Sequence, residues 1–170
     1  DFEVITVEPF GYGLSSETKR ERTIENIVEE MHEVITKLDV DNYILGGHSV
    51  TGLYGVNYLN RYPDENVAAF LGVDTSVPTQ EMTSVNMAPL NFLKKAVIFR
   101  LVIDSNPAKN RSRSKDDPNM EQVRMLTLKN SINDTLDNEL DLLLPNFKKT
   151  EHMTLPEDLP TILFVAINDS

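Results

Sequence analysis

Tyr43-Ile44-Leu45-Gly46-Gly47-His48-Ser49-Val50-Thr51-Gly52-Leu53-Tyr54-Gly55 decides how this 170-residue chain is read. An apolar run ends in paired glycines, a serine follows at once, and a small-residue segment then opens an amphipathic pattern. The order predicts a strand that delivers Ser49 to a sharp turn, with a helix starting behind it. At such a turn the serine holds strained backbone angles and its hydroxyl stands clear, which is how a nucleophile is presented. Small neighbours are required because a tight turn leaves no space for side chains. The helix N-terminus, with the Val50 N–H, then faces any negative charge that develops on a carbonyl held against Ser49.

Measured against the pattern Gly-x-Ser-x-Gly, Gly47 and Ser49 fit. Thr51 stands where the last glycine belongs, and Gly52 comes one position later. A β-branched residue costs more than glycine in a crowded turn, so Thr51 implies a roomier elbow or local strain. The bland reading of the same stretch is an ordinary strand-to-helix turn with a solvated serine.

Working outward, residues 2–7 are β-branched and alternate weakly, which predicts a strand, and Glu8 to Ser16 is a glycine-rich loop. From Thr23, a fair N-cap, the apolar residues Ile24, Ile27, Val28, Met31, Val34, Ile35 and Leu38 recur at helical spacing. Glutamates fill the opposite face. After Ser49 a helix runs toward Arg61-Tyr62-Pro63, and residues 67–73 form a continuous apolar run, as in a strand buried on both faces of a parallel sheet. The alternation predicts an α/β fold with a doubly wound, mainly parallel sheet containing residues 3–7, 43–48, 67–73 and 161–167, joined by right-handed crossovers. Ligands bind such sheets beyond the carboxyl ends of the strands, where Ser49, Asp74 and Asp169 all fall.

Residues 79–155 interrupt the alternation. They carry 11 Lys/Arg against 10 Asp/Glu, leaving the rest of the chain strongly acidic, and show helical patterns at 90–103, 120–128 and 132–144. This divides the chain into a first core part (1–78), a helical cap or lid insert (79–155) expected over the carboxyl edge of the sheet, and a resumed core (156–170). Met82, Val85, Met87, Leu90, Phe92 and Leu93 are candidates to line an apolar pocket, or else pack helix on helix. Lys109 to Lys115 is a basic stretch that reads as a solvated loop.

Composition narrows the class. At 40% hydrophobic and 25% charged the chain is that of a soluble globular protein, and no apolar run approaches the ~20 residues of a membrane span. A net charge of −11 argues against nucleic acid and anionic lipid as partners. With no cysteine there is no disulfide, thiolate metal site or cysteine nucleophile, and neither redox compartment nor oligomeric state is fixed. The chain opens on a strand-like run without methionine and closes just after another, which reads as an internal segment of a longer protein.

With these residues in view the chain resembles the α/β-hydrolase superfamily over most of its length. Residues 4–16 look like that family's fourth strand and the Gly-x-Gly-x-Ser loop after it. Gly47-His48-Ser49 is similar to the Gly-His-Ser elbow of its esterases, lipases and peptidases. Residues 79–155 lie where the family inserts its cap, and 161–169 match the strand whose end carries an acid. The resemblance implies a serine, acid and histidine in that chain order, acting on a small-molecule ester or amide with no metal or cofactor. Ser49 is then the nucleophile and Val50 supplies an oxyanion N–H. Asp169 is the acid, because Ala166-Ile167-Asn168-Asp169 resembles the family's Gly-x-x-Asp with Ala166 departing from it. Asp74 is the alternative acid, weighed against a local loop-capping role with Thr75 and Ser76 at hand.

The same resemblance places the histidine after residue 170 and the second oxyanion donor before residue 1, so the segment alone is expected to be inactive. Of the histidines present, His32 reads as a solvated helix residue, His48 as packed in the elbow, and His152 as a surface residue beside Glu151. A non-catalytic protein of the same fold, binding a ligand or partner, is the competing reading.

Overall fold

Alternating strand and helix patterns produce a three-stranded parallel sheet in the computed structural model, which describes residues 2–76, 78, 122, 125, 126, 129 and 133–165. In chain order the elements are α1 (Ile24–Leu38), β1 (Tyr43–His48), α2 (Thr51–Arg61), β2 (Val67–Val73), α3 (Asp134–Asp141), α4 (Leu143–Thr150) and β3 (Thr161–Phe164). Two compact units divide the chain: residues 21–82 with 141–170, and residues 1–20 with 83–140.

The first unit holds the sheet, in order β1-β2-β3 with both pairings parallel. Leu45 pairs with Phe70, Gly47 with Gly72 and His48 with Val73, while Val73 pairs with Phe164. Directly paired residues share a face of a pleated sheet. One face therefore carries Leu45, Phe70 and Leu163, and the other Ile44, His48, Leu71, Val73, Ile162 and Phe164. α1 begins at the cap the sequence offers, the Asn26 N–H donating to Thr23 Oγ1 at 3.4 Å, and ends at Asp39 in the left-handed region (φ 54°). α2 stops before Pro63, since the residue preceding a proline is driven out of helical angles; Tyr62 closes it with an N–H donated to the Tyr58 carbonyl at 2.9 Å. Ile24, Ile27 and Val28 of α1 and Leu53, Tyr54 and Tyr58 of α2 form a core cluster with Phe147 of α4, and Leu45 packs against it. Phe70 lies buried beneath Gly55.

α4 falls within the range the sequence assigns to the insert, yet it packs in the sheet-bearing unit. Its Asn146 accepts the Ile24 N–H at 2.9 Å and donates to the Arg22 carbonyl at 3.0 Å, so it completes the amino end of α1. The helical pattern read continuously over 132–144 is broken at Leu142. Pro145 has no N–H to continue the ladder and is tolerated only in the first turn of a helix, so a new helix starts at Leu143.

In the second unit the loop after residue 8 is fastened by α3 and by Lys129. Asn133 donates to the Gly11 carbonyl at 2.9 Å while its own carbonyl caps α3 by accepting the Leu136 N–H at 2.7 Å. Thr135 exchanges hydrogen bonds with Thr18, and Tyr12 donates to Glu139 at 3.0 Å. Lys129 donates to the carbonyls of Gly13 and Ser15, both at 3.2 Å. The strand expected over residues 3–7 does not form. Phe2 and Val4 are 87% and 85% exposed, and the run pairs with no strand among the described residues. β-branched composition favours extended backbone, but a strand exists only where a neighbour supplies a ladder. The expected helix at 90–103, the pocket-lining candidates from Met82 to Leu93 and the basic stretch from Lys109 to Lys115 lie outside the described residues. Gln122, Met125, Leu126 and Lys129 are helical.

Candidate active site

Ser49 stands one residue beyond β1 and two before α2, exposed, with φ 54°. That angle is the left-handed region, which costs an L-residue about 1–2 kcal/mol. Three backbone hydrogen bonds hold it there. The Ser49 N–H donates to the Val73 carbonyl at 3.2 Å, and the Ser49 carbonyl accepts N–H groups from Gly52 at 3.1 Å and Ser76 at 3.0 Å. The neighbouring strand and the turn behind it thus fasten the serine from both sides. Val50 N–H has no acceptor among the described residues and sits at the amino end of α2.

The glycine pattern gains a physical explanation here. A Cβ on Gly47 would lie 2.8 Å from Thr51 Oγ1 and 3.1 Å from the Thr51 carbonyl carbon, so a side chain there would force the start of α2 to shift. A Cβ on Gly52 would overlap the methyl of Thr75. The close approach that needs a glycine thus falls at position 52, where β2's outgoing turn crosses α2, and Thr51 itself points outward, exposed. Its hydroxyl donates to the His48 carbonyl at 2.5 Å. Thr75 donates to the Gly47 carbonyl at 3.2 Å. No local sequence pattern encodes the part played by Thr75 and Ser76. Its one trace there is the displaced glycine, which announces a close neighbour without naming it.

Asp74 follows β2 as Ser49 follows β1, exposed and also left-handed at φ 46°; its N–H donates to the Phe164 carbonyl at 2.7 Å. The local capping by Thr75 and Ser76 does not occur: those residues bond to Gly47 and Ser49, and the Asp74 carboxylate has no hydrogen bond among the described residues. Asp169 lies outside the described residues, as do 166–168.

Two histidines differ from expectation. His48 is exposed, because the register puts it on the face where Ile44 and Phe164 keep 50% and 59% of their surface. His32 is partnered: its Nε2 lies 2.8 Å from Glu65 Oε1, and its ring stacks on Tyr62 with centroids 3.9 Å apart. Glu65 also accepts from Tyr43, the first residue of β1, so this group sits at the amino edge of the sheet, about 20 Å of strand from Ser49. His152 is at the surface beside Glu151, as expected. An open cleft of about 300 Å³ is lined by Glu25, Asn57, Asn60, Arg61, Lys149 and Met153; Asn60 and Arg61 belong to the last turn of α2, the end remote from Ser49.

Comparison with known proteins bears on the fold. Residues 1–101 match the family model described as alpha/beta hydrolase fold. The Bacillus subtilis (strain 168) protein YbdG is 24% identical over 178 residues, a match covering 98% of this chain and 54% of that protein. Among solved structures, a hydrolase from Pseudomonas aeruginosa PA01 is similar with a TM-score of 0.56 at 16% identity, over 92% of this chain and 58% of the other. The Bacillus megaterium epoxide hydrolase gives 0.55 at 17% identity, over 91% and 63%. At these identities the structures speak for the fold alone. The chain spans about half the length of the curated relative.

Proposed function

The chain belongs to the alpha/beta hydrolase fold family, and from that premise we propose that it is the nucleophile-bearing part of a serine hydrolase acting on carboxylic esters or small amides. The observation that carries this reading is Ser49 itself, an exposed serine held left-handed between a parallel strand and a helix N-terminus. A serine with no chemical task has no reason to occupy a conformation that glycine or asparagine adopts at lower cost.

In the proposed mechanism Ser49 Oγ attacks the substrate carbonyl carbon while a histidine takes its proton. The carbonyl oxygen becomes an oxyanion and accepts from the Val50 N–H. Collapse of the tetrahedral intermediate expels the alcohol or amine, protonated by the same histidine, and leaves an acyl group on Ser49. Water then repeats the sequence and releases the acid. The acid that orients the histidine is assigned to Asp169, with Asp74 as the alternative. The histidine is assigned to sequence following residue 170, in keeping with the family's chain order.

The test is made on the full-length protein with short-chain p-nitrophenyl esters. Ser49→Ala should lower kcat/KM by at least about a thousandfold with an unchanged circular dichroism spectrum. A fluorophosphonate should label Ser49 in the parent protein. Unchanged turnover in Ser49→Ala would rule out the nucleophile assignment. A protein with no turnover, whose Ser49 resists the label, would be a binding module built on the same fold.

A further inference from the structure

Ser49 is followed two residues later by a threonine at the position where the elbow pattern has glycine, and the structure gives that threonine a bond to make. Thr51 Oγ1 donates to the His48 carbonyl at 2.5 Å, a link that spans Ser49 and closes the turn on it. The side chain fits because Gly47 has none; the Cβ that Gly47 lacks would sit 2.8 Å from this same hydroxyl. On the other side Thr75 Oγ1 reaches the Gly47 carbonyl at 3.2 Å, and the Ser76 N–H reaches the Ser49 carbonyl at 3.0 Å. The carbonyls of 47, 48 and 49 are therefore each held by a residue at the start of α2 or in the turn that follows β2.

We infer that Thr51 is a positioning residue for Ser49, its hydroxyl pinning the His48 carbonyl so that the left-handed turn keeps Ser49 Oγ and the Val50 N–H aimed at one point. This rests on Ser49 being the nucleophile. The physical need is plain. A left-handed serine is strained, and the strain persists only where surrounding bonds over-determine the backbone. Peptide 48–49 sets the direction of the Ser49 side chain, and peptide 49–50 carries the oxyanion N–H. A hydrogen bond across that pair of peptides restrains both at once. Glycine at position 51 relieves crowding but supplies no donor, so this chain has exchanged room for a bond. Catalysis needs the nucleophile and the oxyanion donor placed together to within a fraction of an ångström.

The experiment compares Thr51→Ser, Thr51→Val, Thr51→Gly and Ser49→Ala in the full-length protein. It measures kcat and KM with a p-nitrophenyl ester, together with the rate of fluorophosphonate labelling at Ser49. Loss of the hydroxyl in Thr51→Val should lower kcat and the labelling rate about five- to tenfold with KM unchanged. Thr51→Ser, which keeps the donor, should restore both to within about twofold of the parent. Thr51→Gly meets the general pattern yet should be slowed like Thr51→Val; it also decides the matter if the valine variant does not fold. A parent-like kcat in Thr51→Val or Thr51→Gly overturns the inference, as does a serine variant that is no better than valine. Ser49→Ala separates the two readings: activity surviving there removes the nucleophile itself, whereas activity lost there with parent-like Thr51 variants removes only the role of Thr51.

Discussion

At the scale of single residues, two left-handed non-glycine residues end adjacent parallel strands: Ser49 at φ 54° after β1 and Asp74 at φ 46° after β2. Each donates its N–H to the strand next door, Ser49 to Val73 and Asp74 to Phe164, so their backbones are locked in series across the carboxyl edge. The similarity ends there. Asp tolerates left-handed angles better than serine, because its short side chain bonds locally in that conformation. Asp74's backbone therefore needs no catalytic explanation, and Asp169 remains the proposed acid. In the full-length protein Asp169→Asn should lower turnover of an ester about ten-thousandfold, as loss of a triad acid does. Asp74→Asn, which keeps the left-handed preference and nearly the same volume, should stay within about threefold of the parent. Steady-state kinetics on the two variants decides; the reverse ranking would make Asp74 the acid.

Among the elements, α2 joins the elbow to the sheet's amino edge, and its packing depends on one absent side chain. Gly55 lies against the Phe70 ring, where an added Cβ would come within 2.6 Å of Cε2. Gly55→Ala gains helix propensity but forces α2 off β2, and should cost about 1–3 kcal/mol, read as a lower urea midpoint at unchanged slope. At the far end of α2, Tyr58 is buried with its hydroxyl 2.8 Å from that of Tyr43. Burial, then the Tyr43 bond and the Glu65 charge, push the Tyr58 phenol well above its ordinary value of about 10. A group whose folded value is raised contributes stability that is present below the unfolded value and lost as pH rises beyond it. Stability should therefore fall from about pH 10 upward. Tyr58→Phe should flatten that fall while losing about 1 kcal/mol at neutral pH. An equally steep alkaline limb in the variant would exclude Tyr58 as its source. These elements show what the sequence could reveal. The runs 43–48 and 67–73 are strands over the expected residues, and α1 starts one residue inside its expected cap, because each has an unambiguous period and a turn residue at its end. Residues 3–7 have the composition without a partner strand among the described residues, and the pattern at 132–144 conceals a break that only Pro145 marks. The tight turn at Ser49 is legible because strand, glycine pair and helix follow one another locally in sequence. Thr75 bracing Gly47, and Glu65 meeting His32, join residues 28 and 33 positions apart, and no local pattern encodes them.

For the molecule as a whole, the sheet-bearing unit is discontinuous: residues 21–82 must be joined by 141–170 across a long intervening stretch. Phe147 contributes apolar area to that union, but apolar contact alone tolerates sliding. Asn146 gives the junction its register. Its amide, 1% exposed, donates to the Arg22 carbonyl and accepts from the Ile24 N–H, matching one peptide group before α1 and the first amide within it. The junction is reinforced nearby at the surface, where Lys149 lies 2.8 Å from Glu25. Such an exposed pair contributes little by itself, since solvent screens it. The buried amide carries more weight, because removing it strands one backbone donor and one acceptor away from water. Asn146→Ala should cost about 2–4 kcal/mol, a desolvation penalty for each of the two groups, whereas Lys149→Ala should cost less than about 0.5 kcal/mol. Both are measured as urea midpoints on the full-length protein. Hydrogen exchange supplies the distinguishing observation. If Asn146 sets the register of the union, the Asn146→Ala variant should lose protection at the amides of α1's first turn and of α4 together, with β1 and β2 unchanged under mild conditions. Loss confined to α4, with α1 still protected, would show that the first segment holds its helix without the second.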